Sequence, residues 1–185
     1  MSQPEYYPIE FLHWSAQISQ GLLKVKEILE LYPEYINTVN NNNDNALMIA
    51  ARVNQREMVD YLLECTNINH RHANHEGNFI AIALKSKNID LVKHILTNYS
   101  GIIDFNKKEE INMFNLCMPF VSDNKLELIE LVVGQADNIH NLRKFEIMAN
   151  QLQDNDVKSK VNNIIQMYKL DYELSSKENT KLIKI

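Results

Sequence analysis

The stretch DNALMIAARVNQREMVDYLLE, residues 44–64, decides how this chain folds. Its apolar residues fall into two groups on either side of the turn Val53-Asn54-Gln55. Leu47, Ala50 and Ala51 stand at the i, i+3, i+4 spacing of one helix face, over about two turns. Met58, Val59, Leu62 and Leu63 then supply a second stripe of the same kind. Helices this short are marginal alone in water. A lone pair cannot cover both stripes, so the pair must stack on copies of itself.

A copy lies 33 residues further on. Ala46, Leu47, Ile49, Ala50, Val59, Leu62 and Leu63 fall on Phe79, Ile80, Ile82, Ala83, Val92, Ile95 and Leu96, all of them apolar. The turn falls on Ser86-Lys87-Asn88, and the small Ala50 on the small Ala83, where a larger side chain would push neighbouring helices apart. A fixed period of this length is the signature of a repeat array.

Composition points the same way. The chain has 185 residues, 45% of them apolar and 23% charged, which suits a soluble globular protein and excludes wholesale disorder. Only four glycines and four prolines favour helix over sheet. A net charge of -5 argues against a non-specific nucleic-acid or anionic-membrane binder. No apolar run approaches the ~20 residues needed to cross a bilayer. The start, MSQPEYYPIEF, has neither a basic n-region nor an apolar h-region, so no secretory signal is expected. Cys65 and Cys117 lie in apolar segments without a short-spaced partner and read as free thiols of a reducing compartment. The frequent asparagines, Asn40 to Asn43 in a row among them, read as the mark of an AT-rich genome.

The segment Asn45-Ala46-Leu47-Met48-Ile49-Ala50-Ala51, then Glu57-Met58-Val59-Asp60-Tyr61-Leu62-Leu63, then Asn67-Ile68-Asn69, resembles an ankyrin repeat. That family's pattern runs T-P-L-H-x-A-A, then E-V-V-x-x-L-L, then a D-V-N-like exit into a β-turn. The helix-packing positions match; the hydrogen-bonding ones depart. Asn45 and Met48 replace the family's Thr and His, as do Asn78 and Ala81 in the next copy, and Gly77 stands one residue later than the turn glycine. The resemblance implies an all-α, ankyrin-type helix-turn-helix solenoid of about four to five repeats, the terminal ones degenerate. It places an ankyrin repeat domain over 1–170, with clear copies at about 44–76 and 77–109, and a polar tail, frayed or extended, over 171–185.

Outward from the centre the copies weaken. Gly21 to Leu29, followed by Tyr32 to Asn37, resembles a first repeat whose first helix includes Phe11, Trp14 and Ile18. Leu126 to Val133 matches a second helix, behind a helix candidate over 111–121 in which Pro119 predicts a kink or early stop. Val161, Ile164 and Ile165 repeat the spacing of Val59, Leu62 and Leu63, with Phe145, Met148, Ala149 and Leu152 as the partner helix.

For function, the resemblance implies non-catalytic protein binding, without cofactor or metal. Turn tips and first helices line the binding face in such arrays. That assigns Asn42, Asn43, Asp44, Met48 and Arg52 of one copy to it, and Asn74, His75, Gly77, Ala81 and Lys85 of the next. An Asn- and Lys-rich ankyrin protein of this size is similar to effectors that intracellular bacteria deliver into host cells. Glu173, Ser175, Ser176 and Glu178, followed by Leu182-Ile183, resemble the C-terminal signals of type IV secretion substrates. The expectation is a cytoplasmic monomer, delivered into a host cell without a Sec-type signal. It binds a host protein, and neither nucleic acid nor, by insertion, a membrane.

Rival chemistry is thin. His70-Arg71-His72-Ala73-Asn74-His75 gathers three histidines, but in the loop between copies and with no Cys or carboxylate to complete a metal set. Cys65 and Cys117 read as small apolar packing rather than nucleophiles. No G-x-S-x-G, phosphate-binding glycine loop or H-E-x-x-H is present. Phe11 with Trp14, and Met113, Phe114, Met118 and Phe120, read as core at helical spacing, the second cluster being the place for a local exposed apolar surface. The alternative function is a small enzyme, or an enzyme's regulatory subunit, with its site in the degenerate segment 105–125.

Overall fold

The computed structural model describes residues 7–99, 101–102, 115–120, 126–136 and 138–182. Its helices are α1 (Tyr7–Ser15), α2 (Leu22–Leu31), α3 (Ala46–Arg52), α4 (Arg56–Glu64), α5 (Phe79–Lys85), α6 (Ile89–Asn98), α7 (Glu127–Gly134), α8 (Ile139–Ala149) and α9 (Asn155–Leu182). Turns of 3₁₀ helix lie at Pro33–Asn37 and Met118–Phe120. Two compact units result, Met1–Val92 and Lys93–Ile185.

The sequence period is also the period of the backbone. Asn45 caps α3 and Asn78 caps α5, each side-chain oxygen accepting the N–H three residues on, from Met48 and Ala81, at 3.0 Å. Asn is at least as good an N-cap as Thr, so this departure from the ankyrin pattern leaves the cap intact. Both helices also end alike. Asn54 and Lys87 turn into the left-handed region, with φ of 61° and 62°. The next N–H, of Gln55 or Asn88, reaches back to the carbonyl of Ala50 or Ala83 at 2.9 Å. This is the Schellman closure. It launches the second helix at once, at Arg56 and at Ile89.

In the first unit α1 packs on α2 and α3, while α3 packs on α4 and α5. The first helices of successive copies therefore stand in a row. Leu12, Ala16, Val25, Leu47, Ala50, Val59, Leu62, Ile80 and Ala83 are buried along it. Each large aliphatic among them contributes about 1.5–3 kcal/mol by leaving water. The turn between α1 and α2 needs a glycine: a Cβ on Gly21 would sit 1.8 Å from the Ser15 carbonyl oxygen.

One expectation fails in α1. Leu12 and Ala16 face the core, whereas Phe11 is 38% and Trp14 53% exposed, and Ile18 lies past the end of the helix. A helix against neighbours on one side buries one stripe, and successive positions turn by about 100°. Leu12 and Ala16 occupy that stripe, which turns the aromatic pair outward.

In the second unit α9 packs on α7 and α8. Leu128, Ile129, Val132, Leu142, Phe145, Ala149, Val161 and Ile165 are buried there, while Leu152 falls beyond the end of α8. Glu146 bonds Gln166 at 2.7 Å and Lys169 at 2.5 Å, joining α8 to α9. Gln135 donates to the Leu96 carbonyl and accepts from the Gly101 N–H, both at 2.9 Å. Residues 115–117 are helical and give way to the 3₁₀ turn that carries Pro119, which is the early stop that proline imposes. Met113, Phe114 and the other parts of 105–125 lie outside the described residues. Over 171–182 the tail is helical, because α9 runs unbroken to Leu182. No glycine or proline interrupts 155–182, so nothing in the backbone stops the helix.

Candidate interaction surface

Two short hairpins project between the helix pairs. In the first, Asn40 N–H donates to the Asp44 carbonyl at 3.0 Å. The Asn40 side-chain oxygen accepts from the N–H of Asn42 and of Asp44, and Asn43 adopts φ of 59°. In the second, Asn74 and Gly77 exchange both backbone bonds at 3.2 Å. Here the Asn74 side-chain oxygen accepts from Glu76 N–H, and Gly77 takes φ of 117°. Asn74 thus plays the part of Asn40 in a tip one residue shorter. The difference lies at the opening residue, because Asp44 and Gly77 close the two tips in the same 33-residue register.

The tips are tied to each other. Asn74 Nδ2 donates to Asp44 Oδ1 at 2.5 Å, and His72 Nε2–H donates to the Asn43 carbonyl at 2.9 Å. Since a carbonyl only accepts, Nε2 carries the proton. Arg52, at the end of α3, places one nitrogen on both oxygens of Asp44, at 3.1 and 3.0 Å, and the other on Glu76 at 2.6 Å. Lys85, at the same place in α5, donates to the Glu76 carbonyl at 2.5 Å. Burial pulls the Arg52 guanidinium down, but its bonds to Glu76 and Asp44 outweigh that and hold its pKa above the ordinary value. The Arg52 bond in turn holds the Glu76 carboxyl below its ordinary value. A charge-assisted network therefore joins first helix, hairpin and next hairpin.

The ten residues assigned to the binding face divide accordingly. Asn42, Asn43, His75 and Lys85 are exposed, and Arg52, Asn74 and Gly77 are half-buried. Met48 at 1%, Asp44 at 3% and Ala81 at 8% exposure are corrections, because their side chains face the stack and offer nothing to a partner. Met48 and Ala81 stand at the first-turn positions of α3 and α5 that pack between neighbours. Asp44 turns inward because Arg52 and Asn74 hold it.

Some structural residues escaped sequence reasoning. Asn88 Nδ2 donates to the carbonyls of Ala51 and Arg52, at 2.9 and 3.0 Å, closing the free end of the preceding copy's first helix. The Asn37 amide donates to Asn67 O and accepts from Asn69 N–H, both at 2.7 Å, clasping two successive repeat exits. The only sequence signal for these was the asparagine excess, which composition alone attributes to codon usage.

The candidate nucleophiles find no support. Cys117 is fully buried and burial pushes its thiol up to about 12, so it is protonated at neutral pH. Burial also raises Cys65, whose Sγ–H donates to the Tyr61 carbonyl. Among the described residues no three His, Cys, Asp or Glu side chains converge as metal ligands. No described helix is long and apolar enough to cross a membrane.

No curated protein matches the chain. The family model described as ankyrin repeats, in three copies, matches residues 12–109. That span runs from α1 through the two clear helix pairs and covers over half of the sequence. With the shared caps, left-handed turns and row of first helices, the conclusion is that this chain belongs to the ankyrin repeat family, whose arrays are protein–protein interaction modules.

Proposed function

We propose that the chain holds a protein partner against the hairpin tips and the adjoining edges of α3 and α5, with Asn42, Asn43, His75 and Lys85 as direct contacts. One observation carries this reading. The network of Asp44, Arg52, Asn74 and Glu76 fixes the tips from within and leaves those four side chains outward. A surface ordered before binding loses less conformational entropy when it binds.

The test is capture of a partner from host-cell lysate by the intact chain, repeated with Lys85→Gln combined with His75→Ala. Capture should weaken while the melting temperature stays where it was, since Lys85 is exposed and its one bond is to an exposed carbonyl. Undiminished capture would sink the assignment. Arg52 is unsuitable for this purpose: reversing its charge strands the buried Asp44 carboxylate and destabilises the fold itself.

The cellular setting we propose is delivery into a host cell as a bacterial effector. Its support is compositional, together with the polar residues Glu173, Ser175, Ser176 and Glu178 near the end of the sequence. Deleting residues 171–185 and assaying translocation tests it, and undiminished delivery removes the signal.

A further inference from the structure

An open groove of about 500 Å³ runs beside α1 in the first unit. One wall is α1, through Glu10, Trp14 and Gln17; the other is the segment leading into the first hairpin. His13 ties the walls together, its Nε2–H donating to the Thr38 carbonyl at 2.9 Å. Four polar side chains along the groove are already satisfied, counting His13. Asn37 clasps Asn67 and Asn69, the Thr38 hydroxyl donates to Tyr35 O, and Asn40 closes its own turn. Among the described lining residues Glu10 is the one carboxylate, and no hydrogen bond or ion pair holds its side chain. The Trp14 ring, 53% exposed, lies one helical turn further along the same face.

A free carboxylate one turn from an open indole is complementary to a planar cation. A guanidinium stacks on the ring and bonds the carboxylate at the same time, and it sheds water more readily than an ammonium. A cation already lies near this aromatic pair: Lys24 Nζ sits 5.6 Å from the centre of Phe11, itself 5.5 Å from Trp14. An apolar occupant would strand the Glu10 charge. A phosphate backbone would be repelled by it. We infer that this groove receives an arginine side chain from an extended segment of the protein partner, its guanidinium stacked on Trp14 and paired with Glu10. The inference rests on the reading of the chain as a protein-binding array and adds the chemistry of what is bound.

Trp14 is the single tryptophan, so its indole N–H resonance reports on this groove alone. The full chain is titrated with acetyl-arginine amide and with its neutral isostere acetyl-citrulline amide. Arginine should shift the Trp14 signal saturably in the millimolar range, with citrulline weaker by about two- to fivefold, the size of a partly exposed ion pair. Glu10→Gln should reduce arginine to the citrulline level with an unchanged melting temperature. An absent arginine response, equal responses to both probes, or an unchanged arginine response in Glu10→Gln overturns the inference. A chain that captures a partner through Lys85 and His75 yet ignores arginine refutes this inference alone. A chain that captures no partner removes the reading of the tips as a binding surface and this inference with it.

Discussion

Asn45 and Asn78 each satisfy one backbone N–H that helix geometry leaves without an intrahelical partner. Replacing either by Ala should lower stability by about 1 kcal/mol in urea denaturation, with Ser restoring most of it. An unchanged midpoint would mean the cap does not form in solution. Lys87 is the converse case, a side chain held at φ of 62° where its Cβ crowds the following carbonyl. Lys87→Gly should therefore raise the midpoint, by up to about 1 kcal/mol. His13 supplies a pH dependence. Burial lowers its pKa, against the upward pulls of the Thr38 carbonyl and the Asp44 carboxylate. Between the folded value and the ordinary one near 6.5, the unfolded chain binds a proton that the native chain does not. Stability is thus full above about pH 6.5 and is lost as pH falls through the folded value. Thermal melts from about pH 7.5 down to 5.5 should show this fall, and His13→Gln should flatten it.

Elements meet through small residues. Ala50 and Ala83 are fully buried in α3 and α5, which pack on each other. Leu at either position must displace a neighbouring helix and should cost roughly 1–3 kcal/mol in thermal or urea melts. Equal stability in both variants would contradict the register. Such helix pairs were legible because helix periodicity is local, carried by residues three and four apart. The hairpins were not. Whether Asn40 or Asn74 opens a five- or four-residue tip depends on bonds such as Asn74 to Asp44 and His72 to Asn43. Those bonds join residues about thirty positions apart, and no local pattern encodes them.

Over the whole chain, the α9 extension tests how far the packed structure reaches. Asp171 to Ser176 are all exposed, so removing 171–185 should lower helical signal in circular dichroism and leave the melting temperature unchanged. A lowered melting temperature would show that the segment has packing partners. The same outcome decides whether a translocation defect in that deletion reports a lost signal or a damaged fold. By itself the sequence determined the repeat period, the helix pairs and the alanine contacts, because burying paired stripes of short helices leaves stacking as the one solution. Only the tertiary structure decided which side chains remain available. Met48, Ala81 and Asp44 turned inward, because each has a neighbouring copy or a cross-repeat partner to face. Trp14 turned outward, because Leu12 and Ala16 already fill the stripe that α1 buries. The spacing that announces a buried helix face does not say how many faces the neighbours will cover.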